Sequence, residues 1–333
     1  MALAGPKEVH GDGRFVLRRK DFVPAYLKAA EDGTLRRKAR EAVALLGPPC
    51  RVCPRRCKEA DRSKGAPGVC RVGRLAQVSS MGAHLGEEDV LRGWKGSGTV
   101  FFTGCSLRCA FCQNFDISQG GRGDEVDARE LAGIMLRLAR QGCHNVNFVT
   151  PSHVVPQIVE ALVQAVEDGL SIPLVYNSGG YDSLESLAVM DGLVDVYMPD
   201  FKFWDEAACG RYLAAPDYPS AARRAAAEMH RQVGDLVVDE DGVALRGVLV
   251  RHLVMPGMAD DTGQVMGWLA GLSKDIFVNI MDQYHPAGKV VNDSPHAAIG
   301  RCVSEGEMDA ARAAAIKAGL WRFDERWRPD HVV

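Results

Sequence analysis

Three cysteines at the spacing C-x3-C-x2-C constrain this chain more than any other feature of its sequence. Cys105, Cys109 and Cys112 directly follow Thr99–Thr103, an apolar run whose composition predicts a β-strand. Three thiolates in one short loop can bind three irons of a four-iron cluster. The fourth iron then has no protein ligand, so it is open to a substrate or a cofactor.

This cysteine spacing resembles the signature of the radical S-adenosylmethionine (SAM) family. That signature has an aromatic residue before its last cysteine, and Phe111 occupies the position in this chain. The resemblance implies a 4Fe-4S cluster whose open iron is chelated by the amino and carboxylate groups of SAM. It also implies reductive cleavage of SAM to a 5′-deoxyadenosyl radical. Two other interpretations of the residues stay open, namely part of a zinc site, which prefers four nitrogen or sulfur ligands, and buried thiols that only pack.

The composition is that of an ordinary globular chain. Its 333 residues, 47% hydrophobic and 25% charged, suffice for one large α/β domain and a smaller module. The net charge of -3 provides no positive field, so nucleic acid is not expected as a partner. No signal segment and no run of about 18 apolar residues is present, so no membrane partner is expected. Seven of the ten cysteines fall in two tight clusters, which is typical of metal sites in a reducing compartment, and we expect a cytoplasmic protein.

Two regions of the chain differ in pattern. Residues 1–97 are rich in Arg, Lys, Gly and Pro and show little strand pattern, so we interpret them as an N-terminal extension with a metal-binding module. Residues 98–333 alternate short apolar runs with helical patterns, which predicts an α/β fold with a parallel sheet. The resemblance implies that this region is a partial (β/α)6 radical SAM barrel. The predicted strands are Thr99–Thr103, Asn145–Thr150, Pro173–Asn177, Val194–Pro199, Val248–Met255 and Ile276–Met281.

Two capping signals mark helix starts in this second region. Asp127 precedes an amphipathic stretch and has Glu130 three residues later, which is the pattern of a capping box. Ser304 with Glu307 predicts the same cap for a last helix, Met308–Ala318.

Polar residues follow the predicted strands, at the edge where parallel sheets bind their ligands. Five polar strand ends in succession are hard to explain by solubility alone, because a buried polar group requires a partner. SAM has a carboxylate that requires cationic donors, an ammonium and a sulfonium that attract oxygen acceptors, and an adenine that packs on an apolar or aromatic face such as Phe111. The candidate residues at the strand ends are Thr150, Ser152, Asn177, Ser178, Asp200, Lys202, Arg251 and His285.

Within the radical SAM family, these strand ends resemble the activating enzymes of glycyl radical enzymes, in particular homologues of pyruvate formate-lyase activase. The matching positions are Asp200 with Lys202, the turn 177–180, Arg251 ahead of Pro256 and Gly257, and Tyr284 with His285. The resemblance implies that Lys202, Arg251 and His285 contact the SAM carboxylate or ribose. It further implies that the methionine part of SAM is held by Asn177, Ser178 and Asp200.

The chain departs from the activase pattern at two turns. The family usually has a Gly-Gly-Glu type turn after the second strand to bind the SAM amino group. In this chain the corresponding turn, residues 149–153, has the sequence Val-Thr-Pro-Ser-His and contains no carboxylate. Thr150, Ser152 and backbone carbonyls are the candidates for that role here. The acidic residue of the third-strand turn is replaced by Asn177, so a second acidic contact is also missing.

A second cysteine set lies in the N-terminal region. Cys50, Cys53, Cys57 and Cys70 have the spacing C-x2-C-x3-C-x12-C. Four thiolates close a coordination sphere, as a structural zinc or a fully ligated iron–sulfur cluster requires, and the residues do not decide between these two metals. A small module without an obvious core is stabilised by such a site. Unbound thiols are the remaining alternative.

One acidic segment precedes the first predicted strand of the barrel. Glu87, Glu88 and Asp89 are consecutive and follow a glycine. We expect a solvated acidic turn here, and a contact to the cluster region or to a partner is the alternative.

The leading functional hypothesis is a radical SAM oxidoreductase that cleaves SAM reductively and abstracts a hydrogen atom from a substrate. It requires a one-electron donor such as flavodoxin or ferredoxin. The activase resemblance implies that the hydrogen comes from a glycine Cα of a partner glycyl radical enzyme, and the alternative is a small molecule or another peptide. A hypothesis of another class is a non-catalytic iron–sulfur or zinc protein for electron transfer or binding, which does not account for the polar strand ends.

Overall fold

A ten-stranded, mostly parallel sheet organises the protein in the computed structural model, which describes residues 11–290 and 294–324. The strand order is β10-β9-β8-β6-β5-β4-β2-β1-β3, with β7 paired to β8, and the sheet is not closed. The strands are β1 (Ala76–His84), β2 (Ser97–Phe102), β3 (Asp124–Val126), β4 (Val146–Val149), β5 (Leu174–Ser178), β6 (Val196–Pro199), β7 (Val237–Val238), β8 (Ala244–Leu253), β9 (Phe277–Met281) and β10 (Arg322–Phe323).

The parallel part of the sheet contains all six predicted strands. Strands β2, β4, β5, β6, β8 and β9 are parallel neighbours in that order, and β10 extends them. Phe101 of β2 lies beside Val149 of β4, which lies beside Asn177 of β5, so the strands end at a common edge. The predicted α/β fold is therefore confirmed, and the open sheet is consistent with a radical SAM partial barrel.

Helices connect and cover the strands. Both predicted capping boxes are confirmed, with Asp127 and Glu130 bonded reciprocally to each other's backbone N–H, and Ser304 and Glu307 likewise. No helix in residues 11–290 and 294–324 combines the length and apolar character that crossing a membrane requires. The helices are α1 (Ala25–Glu31), α2 (Thr34–Ala44), α3 (Asp89–Arg92), α4 (Phe115–Ser118), α5 (Ala128–Arg140), α6 (Val155–Glu167), α7 (Leu184–Met190), α8 (Glu206–Leu213), α9 (Tyr218–Val233), α10 (Ala259–Leu272) and α11 (Glu305–Ala318), with short 3-10 turns at Gly11–Gly13, Arg19–Asp21, Arg62–Lys64, Pro151–His153 and Ser294–Ile299.

The N-terminal region contributes to the sheet, contrary to the expectation that it has little strand structure. β1 is nine residues long and pairs antiparallel with both β2 and β3. Its sequence is rich in small and polar residues and only its first half alternates between buried and less buried positions, so its hydrophobic pattern is weak. The division into 1–97 and 98–333 stays an interpretation, and residues 1–10, 291–293 and 325–333 of these ranges lie outside the described part.

Two of the three acidic residues between β1 and β2 are buried, so the expectation of a solvated turn is wrong for them. Glu87 and Glu88 are 8% and 3% exposed. Asn147 of β4 donates to Glu87 over 3.3 Å, and Asn279 of β9 donates to Glu88 over 3.0 Å. Polar side chains on inward-facing strand positions thus supply the partners that two buried carboxylates require.

Candidate active site

The carboxyl ends of the parallel strands surround a cavity of about 250 Å³. Most residues predicted from the sequence to bind a cluster or SAM line this one cavity. They are Cys105, Cys109, Phe111, Cys112, Thr150, Asn177, Ser178, Asp200, Lys202 and Arg251. Leu107, Leu253 and Met281 add apolar surface that the sequence did not single out.

The loop that carries the three cavity thiols is fixed by hydrogen bonds to its backbone. The amide of Ala110 donates to the Tyr212 carbonyl over 2.7 Å, and the Gln119 side chain donates to the Cys109 carbonyl over 3.0 Å. The sulfur of Cys112 lies 3.1 Å from the hydroxyl of Ser118. The thiols are therefore presented by an ordered loop.

Burial keeps the thiols of Cys105 and Cys109 protonated in the absence of metal. It raises the pKa of Cys105 to about 12, with a further contribution from the charge of Cys112. Burial also raises the pKa of Cys109, and the nearby Lys202 charge opposes this rise. Because iron binds the thiolate, loading the site must release protons.

A charged network forms the opposite wall of the cavity. Asp200 and Arg251 are neighbours across the β6–β8 boundary, and the Arg251 Nε atom donates to Asp200 over 2.8 Å. Lys202 Nζ donates to the other Asp200 oxygen over 2.6 Å, and Arg251 also donates to Asn177 over 2.8 Å. Glu88 lies behind Arg251, with 3.8 Å between the closest charged atoms.

These neighbours decide the charge states of the network. Burial alone would raise the pKa of Asp200, but the charges of Arg251 and Lys202 outweigh it and hold that pKa below its ordinary value. Burial alone would lower the pKa of Lys202, but Asp200 and Cys109 outweigh it and raise that pKa. Both groups are therefore charged at neutral pH, and a partly buried ammonium is available to an anionic ligand group.

Behind the cavity wall lies a buried carboxylate that the sequence did not reveal. Asp182 is 3% exposed and accepts hydrogen bonds from Tyr176 and Ser178, both over 2.7 Å. The Ser152 side chain also hydrogen-bonds to Asp182. Ser152, predicted as a cavity residue, does not line the cavity. The only signal was the position of Asp182 just after the glycine turn, which does not by itself distinguish a buried acid from a helix cap.

Two of the predicted positions differ from their neighbours in backbone or in burial. Thr150 adopts a left-handed conformation with φ of 63°, and its amide donates to the Asn177 carbonyl over 2.9 Å. Such a backbone is costly for a β-branched residue and is typical of functional sites. His285 is exposed and does not line the cavity. Its Nδ1 atom lies 3.4 Å from the side-chain Nε2 atom of Gln113.

The four N-terminal cysteines are gathered in one place. Cys50, Cys53 and Cys70 are buried and Cys57 is partly buried. Burial, followed by the charges of Cys70, Cys50 and Cys57, raises the pKa of Cys53, so all three thiols lie near it. The Cys50 amide donates to the Cys57 carbonyl over 3.2 Å, which folds the two halves of the motif together.

Neither cysteine set surrounds a single point. In the described residues, no three or more His, Cys, Asp or Glu side chains converge as one metal ion requires. Each thiolate of a four-iron cluster binds a different iron, so a cluster of that type does not need such convergence.

The sequence matches the Radical SAM superfamily over residues 99–269, from β2 into α10. The chain belongs to the Radical SAM superfamily. Membership implies a 4Fe-4S cluster, SAM as co-substrate and SAM-dependent radical chemistry.

Two further proteins are similar to this radical SAM chain. An uncharacterized protein of Methanocaldococcus jannaschii is 32% identical over 282 residues, which are 81% of this chain and 75% of that protein. The structure of the cobalamin-dependent SAM radical enzyme OxsB, with aqua-cobalamin and SAM bound, is 11% identical with a TM-score of 0.37. That match covers 67% of this chain and 31% of the OxsB chain.

The cavity of this radical SAM protein has donors that fit the two groups used by the superfamily. The three loop thiols offer one ligand to each of three irons. Lys202 and Arg251 suit a carboxylate, and the oxygens of Asn177 and Ser178 suit an ammonium or a sulfonium. Phe111 packs edge-on against Phe203 and Tyr284 and lines the cavity, which suits an adenine ring.

A buried histidine supports the charged wall from behind. Nδ1 of His252 donates to the Phe201 carbonyl over 2.7 Å, so Nε2 accepts from the Thr262 hydroxyl over 2.9 Å. Burial lowers the pKa of His252 from 6.5 to about 4. The imidazole is therefore neutral in the folded protein at neutral pH.

The shift of His252 predicts an acid-sensitive fold. In the unfolded chain His252 binds a proton near pH 6.5, whereas in the folded chain it does so only near pH 4. The free energy of unfolding therefore decreases as the pH is lowered from 6.5 to 4, by up to about 3 kcal/mol. His252→Gln should show a smaller fall than the wild type, and His285→Gln, at an exposed position, should show the wild-type fall. Urea unfolding of the iron-free chain at several pH values measures this, and an unchanged slope in His252→Gln contradicts it.

Proposed function

We propose that this protein is a radical SAM enzyme that uses SAM to abstract a hydrogen atom from a substrate at the strand-end cavity. The observation that carries the proposal is the meeting of three thiols and the Asp200, Lys202 and Arg251 network in one cavity. When bound, the reduced cluster and SAM supply a 5′-deoxyadenosyl group that abstracts hydrogen. The protein's part is to bind, orient and shield these groups.

The cysteines of the cavity loop have the first role. We assign Cys105, Cys109 and Cys112 as the cluster ligands, and leave one iron for SAM. Cys109 is buried and the other two are partly buried, so solvent has little access to the sulfurs. Loss of thiol protons accompanies loading.

The strand ends have the second role. Lys202 and Arg251 would orient the SAM carboxylate through charge-assisted hydrogen bonds, and Asp200 holds both cations in place. Asn177 and Ser178 would bind the methionine part of SAM through their oxygens. Phe111 would pack against the adenine, and Thr150 and nearby carbonyls would bind the amino group. Ser152 would act indirectly through Asp182, and His285 would bind the ribose from the exposed rim.

The substrate assignment relies on the activase resemblance. It favours a glycine Cα of a partner glycyl radical enzyme, and a small molecule or another peptide is the alternative. The side of the cavity lined by Gln113 and Gln283 is next to exposed His285, which offers a polar approach for a substrate loop. We further propose a one-electron donor of the flavodoxin or ferredoxin type and a second metal at the N-terminal cysteines. We also propose a cytoplasmic location, which suits ten cysteines that form no disulfide.

The reaction itself gives the first test. The iron-loaded wild type, reduced anaerobically with dithionite, should convert SAM to 5′-deoxyadenosine. Changing Cys105, Cys109 and Cys112 together to Ala should abolish the product, because no cluster ligand is left. Cys302→Ala, at an exposed position away from both cysteine sets, is the control and should keep full yield. Product formation by the triple variant contradicts the proposal.

Removing the partly buried ammonium gives a second test. Lys202→Gln should raise the Kd for SAM roughly tenfold to a hundredfold, since a hydrogen bond to a charged group contributes about 1.5–3 kcal/mol. Calorimetric titration of the iron-loaded protein measures this affinity. Lys317→Gln, at an exposed position on α11, is the matched control. An unchanged Kd in Lys202→Gln shows that the Lys202–Asp200 pair is only structural.

Isotope transfer tests the substrate. A glycyl radical enzyme labelled with deuterated glycine should transfer deuterium to 5′-deoxyadenosine, as mass spectrometry detects. The same enzyme with its radical glycine changed to alanine is the control. Substantial product without label in it rules out that glycine and favours the small-molecule or peptide alternative.

A further inference from the structure

Building on the proposed function, we infer that the N-terminal four-cysteine module holds an iron–sulfur cluster that relays electrons to the cavity cluster, and that its basic surface docks an acidic one-electron carrier protein. The module is defined as residues 50–74. Its cysteines are not part of the cavity, so the proposed reaction does not by itself require them.

The module packs directly against the loop that carries the cavity thiols. Arg55 of the module donates to the Ser106 carbonyl over 2.8 Å, and Arg108 of the loop donates to the Val69 carbonyl over 3.3 Å. Gly104, just before the first cavity cysteine, has φ of 83°, and a Cβ atom there would collide with the Cys70 carbonyl oxygen. These contacts hold the module and the cavity loop together beside Cys70 of the module and Cys105 of the loop.

Hydrogen bonds at Val69 connect a module sulfur to the cavity loop. The Val69 amide donates to the Cys57 sulfur over 3.5 Å. The Val69 carbonyl accepts from Arg108, which lies between Cys105 and Cys109. A metal centre on the module would therefore lie next to the loop that carries the cavity thiols.

This proximity favours an iron–sulfur cluster over zinc. A zinc ion cannot change its oxidation state, so it would only staple the module, and a staple has no need of contact with the cavity loop. Four thiolates complete the ligand set of a four-iron cluster, which leaves no open iron and suits electron transfer rather than SAM binding.

The surface of the module has the charge expected for an acidic partner. Residues 50–74 contain eight Lys and Arg and two Asp and Glu, in a chain whose net charge is -3. Arg51, Arg56, Lys58, Lys64 and Arg71 are exposed. Val69, 39% exposed, provides an apolar contact between Cys57 and Cys70. Exposed cations together with an exposed apolar residue are complementary to the acidic surface of a small electron carrier.

The electron count is simple. The carrier loses one electron and the module cluster gains it; the module cluster then loses that electron and the cavity cluster gains it. No bond forms or breaks and no proton has to move in either transfer. The carrier is the only reductant required.

The first experiment identifies the metal. Wild-type protein reconstituted anaerobically should contain about eight irons per chain, and the variant with Cys53 and Cys57 changed to Ser about four. The reduced wild type should show two electron paramagnetic resonance signals and the variant one. A wild type with about four irons and one zinc, or with one signal, overturns the relay.

The second experiment tests docking with a variant that keeps all cysteines. Arg51→Glu with Lys58→Glu should lower the flavodoxin-driven rate of 5′-deoxyadenosine formation at least about tenfold at low salt, and should leave the dithionite-driven rate unchanged. Wild-type flavodoxin-driven turnover should fall steeply as salt rises. Arg137→Glu with Arg140→Glu, an exposed basic pair on α5, is the control for charge alone and should behave as wild type.

The outcomes separate the two proposals. Absence of product from the wild type with dithionite refutes the proposed function. Product with dithionite but none with reduced flavodoxin, or equal flavodoxin-driven rates in both charge variants, overturns the docking surface.

The relay has its own test. In the Cys53→Ser, Cys57→Ser variant the ratio of the flavodoxin-driven rate to the dithionite-driven rate should fall at least about tenfold, and an unchanged ratio overturns the relay.

Discussion

The ion pairs of the Asp200 carboxylate, which is only 15% exposed, are the interactions on which the cavity depends. Taking a carboxylate out of water is costly, and the cost is offset only by two cations in direct contact, Lys202 and Arg251. Register places Asp200 beside Arg251, because β6 and β8 are parallel neighbours although they are separated along the chain by α8, α9 and β7. The charge that a ligand meets in the cavity is thus a product of strand order.

The strands and caps were predictable because their signals are local. Apolar runs located six of the seven parallel strands, all except the short β10, and the pair Asp127 and Glu130 located a helix start to the residue. Strand ends in a parallel sheet share one edge whatever their sequence separation, so most cavity residues were also predictable. Their roles toward a cluster and SAM stay predictions.

Two of the residues that sequence reasoning misplaced, Glu88 and Ser152, have partners far along the chain. Glu88 is buried because Asn279, 191 positions away, donates to it, and no local pattern encodes that pairing. Ser152 was expected at the cavity, but its side chain hydrogen-bonds to buried Asp182 and does not line the cavity. A charged residue in a short polar segment has the same local sequence whether it faces water or an amide donor.

The close approach of Gly104 to Cys70 has a consequence for how such proteins diverge. The carbonyl oxygen of Cys70 occupies the space that any side chain at position 104 would need. A substitution of this glycine is therefore compatible with the contact only if the segment around Cys70 shifts as well. Among relatives that retain both cysteine motifs, a residue other than glycine at position 104 should be accompanied by changes in the residues that flank Cys70, whereas loss of the N-terminal motif should release position 104 to accept larger residues.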